Sequence, residues 1–195
     1  MTKIKFSFLI IVILFLFNAC NSEKTSSVSS SNDIAHKALV EDVLTKEQQD
    51  ALTPDIVIQT LQKGNARFMS NDLTARNHSA QVRKSTLAQY PKAIVLSCVD
   101  SRVPVEDVFD RGIGDLFVAR VAGNFVNEDI LGSMEFACKV SGSKLILVMG
   151  HEHCGAVKAA IDDVKLGNIT PMLQKIKPAV ESVSYTHLTL PTIGE

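Results

Sequence analysis

Three short aliphatic runs set the strongest limit on how this chain folds: AIVLS at 93–97, DLFVARV at 115–121 and KLILVMG at 144–150. None alternates apolar with polar residues, so each is expected to be a strand buried on both faces. Stretches of helical character, VPVEDVFD and NEDILGSMEFACKV, lie between them, and GAVKAAIDDVKLG follows the third. Strand–helix–strand order joins neighbouring strands in parallel. The expected fold class is therefore α/β, a central, mostly parallel β-sheet flanked by helices. There is no internal repeat.

The remaining helices announce themselves by their ends. In TPDIVIQTLQKGNARFM, Thr53 is placed to cap a helix with Pro54 at its first position, and Val57, Leu61 and Phe68 recur near helical spacing. A second helix is expected over 80–90, stopped by Pro91. Asn127 precedes two acids and should cap the NEDILGSMEFACKV helix. TPMLQKIKPAVES reads as a further helical stretch.

The chain of 195 residues has room for one domain with a real core. Its 20 basic and 21 acidic residues nearly cancel, giving a net charge of −1 with no dense Lys/Arg block, which speaks against nucleic acid as a partner. The first 20 residues stand apart: Lys3 and Lys5 precede an apolar run over 6–17, shorter than the ~20 residues of a membrane span. Cys20 follows at once. LFNAC resembles the lipobox of bacterial lipoproteins, which implies a signal peptide over 1–19, a lipid on Cys20 and an exported, membrane-anchored, periplasmic domain. A plain cleaved signal with an incidental cysteine is the alternative. NSEKTSSVSSSND has almost nothing to bury, so residues 20–33 are expected to form a disordered tether ahead of a domain over 34–182.

Ligands of parallel sheets gather beyond the carboxyl ends of the strands. There the first strand runs into CVDSRVP, which puts Cys98, Asp100 and Arg102 on one face if the segment stays extended. The third strand runs into GHEHCGAV, where His151 leaves the strand and Cys154 opens a helix whose positive end favours a thiolate. Two thiolates and one imidazole suit zinc, and three protein ligands leave a fourth position for water. An inert pair of core cysteines and a Cys98–Cys154 disulfide are the competing readings. The Cys98–Arg102 spacing is too short for a cysteine phosphatase, and HEH lacks the second histidine of the zinc-protease helix. Cys138 reads as a core residue and His153 as a neighbour of the site or a solvent-facing side chain. His36, His78 and His187 have no supporting neighbours and read as surface residues.

CVDSRVP and HEHCGAV together resemble the Cys-x-Asp-x-Arg and His-x-x-Cys motifs of the β-class carbonic anhydrases. GDLFVARVAGN and GSMEFA are similar to that family's segments too, so the likeness runs over about 64–166. The resemblance implies zinc on Cys98, His151 and Cys154, with an Asp100–Arg102 dyad. In the family's active form the aspartate orients the attacking hydroxide. In an inactive form it turns onto the metal, which makes Asp100 a fourth candidate ligand. The implied reaction is reversible hydration of carbon dioxide to bicarbonate and a proton, in a pocket finished by a neighbouring subunit, hence a homodimer or larger homo-oligomer. A relative acting on carbon disulfide or carbonyl sulfide, or a non-catalytic zinc site closed by Asp100, would carry similar residues. The closing segment VSYTHLTLPTIGE at 183–195 matches neither element type and resembles a translated sequencing adapter, so a non-native tail on a C-terminally truncated domain is expected.

Overall fold

The computed structural model describes residues 39–184. The expected leader and tether lie outside that range, as does the tail from residue 185 onward. The last helix runs to Ser184 and so takes in the first two residues of the segment read as a tail.

Along the chain run α1 (Lys46–Asp50), α2 (Pro54–Met69), α3 (His78–Lys84), β1 (Ala93–Ser97), α4 (Val105–Val108), β2 (Leu116–Arg120) and α5 (Glu128–Glu135). A π-helical turn (Phe136–Val140), β3 (Leu145–Met149), α6 (Gly155–Ile161), α7 (Ile169–Gln174) and α8 (Lys177–Ser184) complete it. The strands form one sheet in the order β2-β1-β3, all parallel, with Ala93 in register with both Leu116 and Leu145.

Only β1 is buried along its whole length. As edges of this sheet, β2 and β3 are half-covered, and Ile146 and Val148 remain 46% and 61% exposed. The expectation of burial on both faces therefore holds for the central strand alone. Composition alone could not separate centre from edge, because the edge run LILVM is at least as apolar as the central run AIVLS.

One face of β1 offers Ile94 and Leu96 to Met134 and Ala137, with Phe117, Ala119, Ile130 and Cys138 packed around them. Cys138 thus sits where a core residue was expected. The other face offers Ala93 to Val57 and Leu61 of α2. Fully burying side chains of this kind stabilises by ~1.5–3 kcal/mol each. A third cluster, Ala160, Leu173 and Ile176, joins α6 to the helices that follow it.

The helix ends follow local chemistry. Thr53 accepts from the Ile56 amide and Asn127 from the Ile130 amide, both as the sequence leads one to expect. Phe68, by contrast, lies exposed, and the buried side of α2 is Val57, Leu61 and Gly64. Gly64 lies so close to α4's end that a Cβ there would sit 1.8 Å from the Phe109 carbonyl oxygen. The helix expected over 80–90 starts earlier, capped by Asn77, and stops at Ser85. Ser85 and Thr86 hydroxyls donate back to the Val82 and Arg83 carbonyls and so terminate it well before Pro91. The stretch TPMLQKIKPAVES is two helices broken at Lys175 and Ile176, since Pro178 has no N–H to return to the Gln174 carbonyl.

A buried carboxylate fastens the loop after α4. Asp110, with a left-handed φ of 48°, receives Arg67 Nε at 2.5 Å, Arg76 Nη1 at 2.6 Å and the Thr74 hydroxyl and amide at 2.7 and 3.0 Å. Every lone pair it presents to the interior has a donor.

Candidate metal centre

β1 and β3 are adjacent and parallel, so their carboxyl ends deliver Cys98 and His151 to the same side of the sheet. Cys154 follows at the N-cap of α6, reached through His153, which has a left-handed φ of 54°. The sulfurs of Cys98 and Cys154 and a ring nitrogen of His151 all lie within 4.8 Å of one another. His153 is exposed and outside this set, as expected.

Three features test whether zinc fits. The two sulfurs are 3.9 Å apart. Two thiolates at ~2.3 Å from one tetrahedral ion stand about 3.8 Å apart, whereas a disulfide needs ~2.05 Å. His151 Nδ1 lies 2.9 Å from the Glu152 carbonyl oxygen, so it donates there and leaves the Nε2 lone pair free. That Nε2 is buried without a hydrogen-bond partner, which is costly unless something binds it. The donor set and its spacing fit zinc.

Asp100 stands apart from the three. Its oxygens are taken by Arg102 in a two-pronged pair, Nε to Oδ1 at 2.9 Å and Nη2 to Oδ2 at 2.8 Å, with the Arg102 amide also donating to Oδ1 at 2.9 Å. The candidate role of Asp100 as a fourth ligand is not the arrangement seen, although Oδ2 lies only 3.8 Å from His151 Nε2. Arg102 holds the Asp100 carboxyl far below the usual carboxylate range, and is itself pushed up in return.

Cys98 is the activated thiol. Burial would raise its pKa, but the Gly123 amide, the His151 ring and the Asp100 amide bring it down to about 7. The Cys98 sulfur in turn raises the pKa of His151, although no hydrogen bond of good geometry joins the two. The expectation from sequence placed thiolate stabilisation at Cys154 and the helix end. At Cys98 the backbone amides contribute to it together with the His151 ring, the Gly123 N–H standing 3.4 Å from the sulfur.

Two neighbours of the site escaped the sequence reading. Arg120, the last residue of β2, donates from Nε to the Cys98 carbonyl at 2.8 Å and from Nη2 to the Asp100 carbonyl at 2.5 Å. Gly123, at φ +81°, could not carry a Cβ without coming within 2.4 Å of Ile176 Cδ1. Their one legible signal was position, since Arg120 lies at a strand's carboxyl end and Gly123 just past it in VARVAGN.

A sequence profile described as carbonic anhydrase matches residues 93–191, just over half of the chain. The chain belongs to the carbonic anhydrase family. It is 39% identical over 128 residues to a carbonic anhydrase of Mycolicibacterium smegmatis, covering 63% of this chain and 62% of that protein. The chain thus spans less than two thirds of the length of that curated relative. Among solved structures, the β-carbonic anhydrase CcaA superposes with a TM-score of 0.53 at 27% identity, covering 70% of this chain and 68% of that one. A Coccomyxa β-carbonic anhydrase in complex with acetazolamide gives 0.52 at 25% identity, covering 69% and 60%. The parallel sheet flanked by helices is the β-class fold.

Proposed function

We propose that this chain carries out the reversible hydration of carbon dioxide to bicarbonate and a proton, with zinc on Cys98, His151 and Cys154. The observation that carries the reading is the buried, unpartnered His151 Nε2 facing two sulfurs at a zinc-like separation while Arg102 engages Asp100. Zinc bound there would supply hydroxide near neutral pH by acidifying water. Asp100, kept ionised by Arg102, would accept a hydrogen bond from the attacking nucleophile and so orient it toward carbon dioxide. Arg102 occupies both carboxylate oxygens from one side and restrains Asp100 from swinging toward His151.

Zinc content and carbon dioxide hydration rate, measured together on the full chain, test this. About one zinc per chain is expected, lost in Cys98→Ser and His151→Ala and kept in Cys138→Ser. Full zinc retention in Cys98→Ser would sink the ligand assignment, and hydrolysis of carbon disulfide without hydration of carbon dioxide would replace the substrate.

The same proposal includes export, a lipid on Cys20 and assembly as a homodimer or larger homo-oligomer. It is supported by the LFNAC sequence and by the likeness to β-class enzymes. A wild-type mature N-terminus lying beyond Cys20, without lipid, refutes the anchor, and a monomer at working concentration refutes the assembly.

A further inference from the structure

We infer that Arg120 is a positioning residue of this metal centre, acting through the backbone of residues 98–100; the inference rests on the zinc reading above. The last backbone bond between β1 and β2 at this end is from the Val121 amide to the Ser97 carbonyl, at 3.1 Å. Beyond it the chain enters a turn, closed by the Asn124 amide on the Val121 carbonyl at 2.9 Å with Gly123 at φ +81°, so residues 98–100 lose their ladder just where the first ligand and the dyad carboxylate must be placed.

The Arg120 side chain takes over as donor. One guanidinium holds the Cys98 carbonyl with Nε and the Asp100 carbonyl with Nη2. The Asp100 carbonyl also accepts the Val103 amide at 3.2 Å, closing the turn that presents Arg102. Arg120 thereby fixes the peptide planes that follow Cys98 and Asp100, and with them the direction of the Cys98 thiolate and of the Asp100 carboxylate. A planar fork can bridge two carbonyls, whereas a lysine ammonium is a single point on a flexible stem. Partners that hold ligands in place, without touching the metal themselves, typically contribute ~10–100-fold to metal affinity or activity.

Cobalt(II) in place of zinc gives a readout independent of turnover. Full-length wild type, Arg120→Met and Arg120→Lys would be titrated with cobalt against a chelator. The thiolate-to-cobalt charge-transfer band would be recorded with each titration, and unfolding followed by circular dichroism. Arg120→Met keeps the aliphatic stem and should bind cobalt ~10–100-fold more weakly, with an altered band. Arg120→Lys should fall between it and wild type. A folded Arg120→Met with wild-type affinity and spectrum overturns the inference, because a merely structural tie between β1 and β2 would leave both unchanged. If Arg120→Met does not fold, Arg120→Lys decides: full wild-type affinity and spectrum reject the two-carbonyl clamp. Wild type that binds no cobalt removes the zinc reading and this inference with it, whereas normal wild type beside an unaffected variant removes the inference alone.

Discussion

Asp100 and Asp110 flank the same short helix, both pair with arginine, and both have carboxyls held below the usual range. Their surroundings differ completely. The Asp110 side chain is 0% exposed and wrapped by Arg67, Arg76 and Thr74, whose donors outweigh the burial that would raise its pKa. Asp100 is 17% exposed beside an Arg102 that is 63% exposed. A carboxylate sealed among donors has one arrangement and ties segments together. A carboxylate held by one exposed side chain keeps a face for chemistry and contributes little to folding. The same residue pair ties segments together in one place and stays open to its surroundings in the other, and burial decides which.

Exchanging the two roles by mutation gives the largest expected effect. Asp110→Ala leaves two arginines without their buried partner and should cost ~3–5 kcal/mol in denaturant unfolding, with the rate per folded molecule unchanged. Asp100→Ala should keep zinc and its unfolding midpoint but lose ~10²–10⁴ in hydration rate. If Asp100→Ala unfolds early while Asp110→Ala stays stable, the contrast is reversed and the argument fails.

Thr74→Val sharpens the architectural side. It deletes the 2.7 Å hydroxyl bond to Asp110 with little change of shape, and a bond to a charged group is worth ~1.5–3 kcal/mol. Chemical denaturation would read this directly, and a variant as stable as wild type would show that the remaining donors suffice.

Arg102→Lys sharpens the reactive side. The charge stays but the fork onto both oxygens of Asp100 is lost, so hydration should slow by ~10–100-fold at unchanged stability. A wild-type rate in this variant would mean that charge alone restrains Asp100.

The smallest effect is a difference of slope with pH. A carboxyl whose folded pKa is depressed contributes stability above its unfolded pKa, ~3.9, and loses it as pH falls toward the folded value. Stability of wild type should therefore fall below about pH 4 more steeply than that of Asp110→Asn, which has no such proton to bind. Parallel acid-unfolding curves for the two would show that Asp110 is not the linked group.

Sequence by itself determined the parallel sheet, since three aliphatic runs spaced by helical segments leave few other foldings. It also pointed to the candidate ligands, because Cys98, His151 and Cys154 fall at or shortly after strand ends that a parallel sheet brings together. Helix starts were legible at Thr53 and Asn127, where a side chain caps a neighbour three residues on. Helix ends were less so: the one at Ser85 depends on hydroxyls folding back onto carbonyls, a competition that periodicity does not register. Tertiary structure alone decided which strand is central, because that depends on what lies beside each run rather than on what it contains. It alone decided that Asp100 faces Arg102 instead of joining the Cys98, His151 and Cys154 cluster, and that Arg120 and Gly123 brace the segment from Cys98 to Asp100. The Arg120 and Gly123 contacts join residues some 20 or more positions apart through a few hydrogen bonds, and isolated bonds of that kind leave no pattern in the chain.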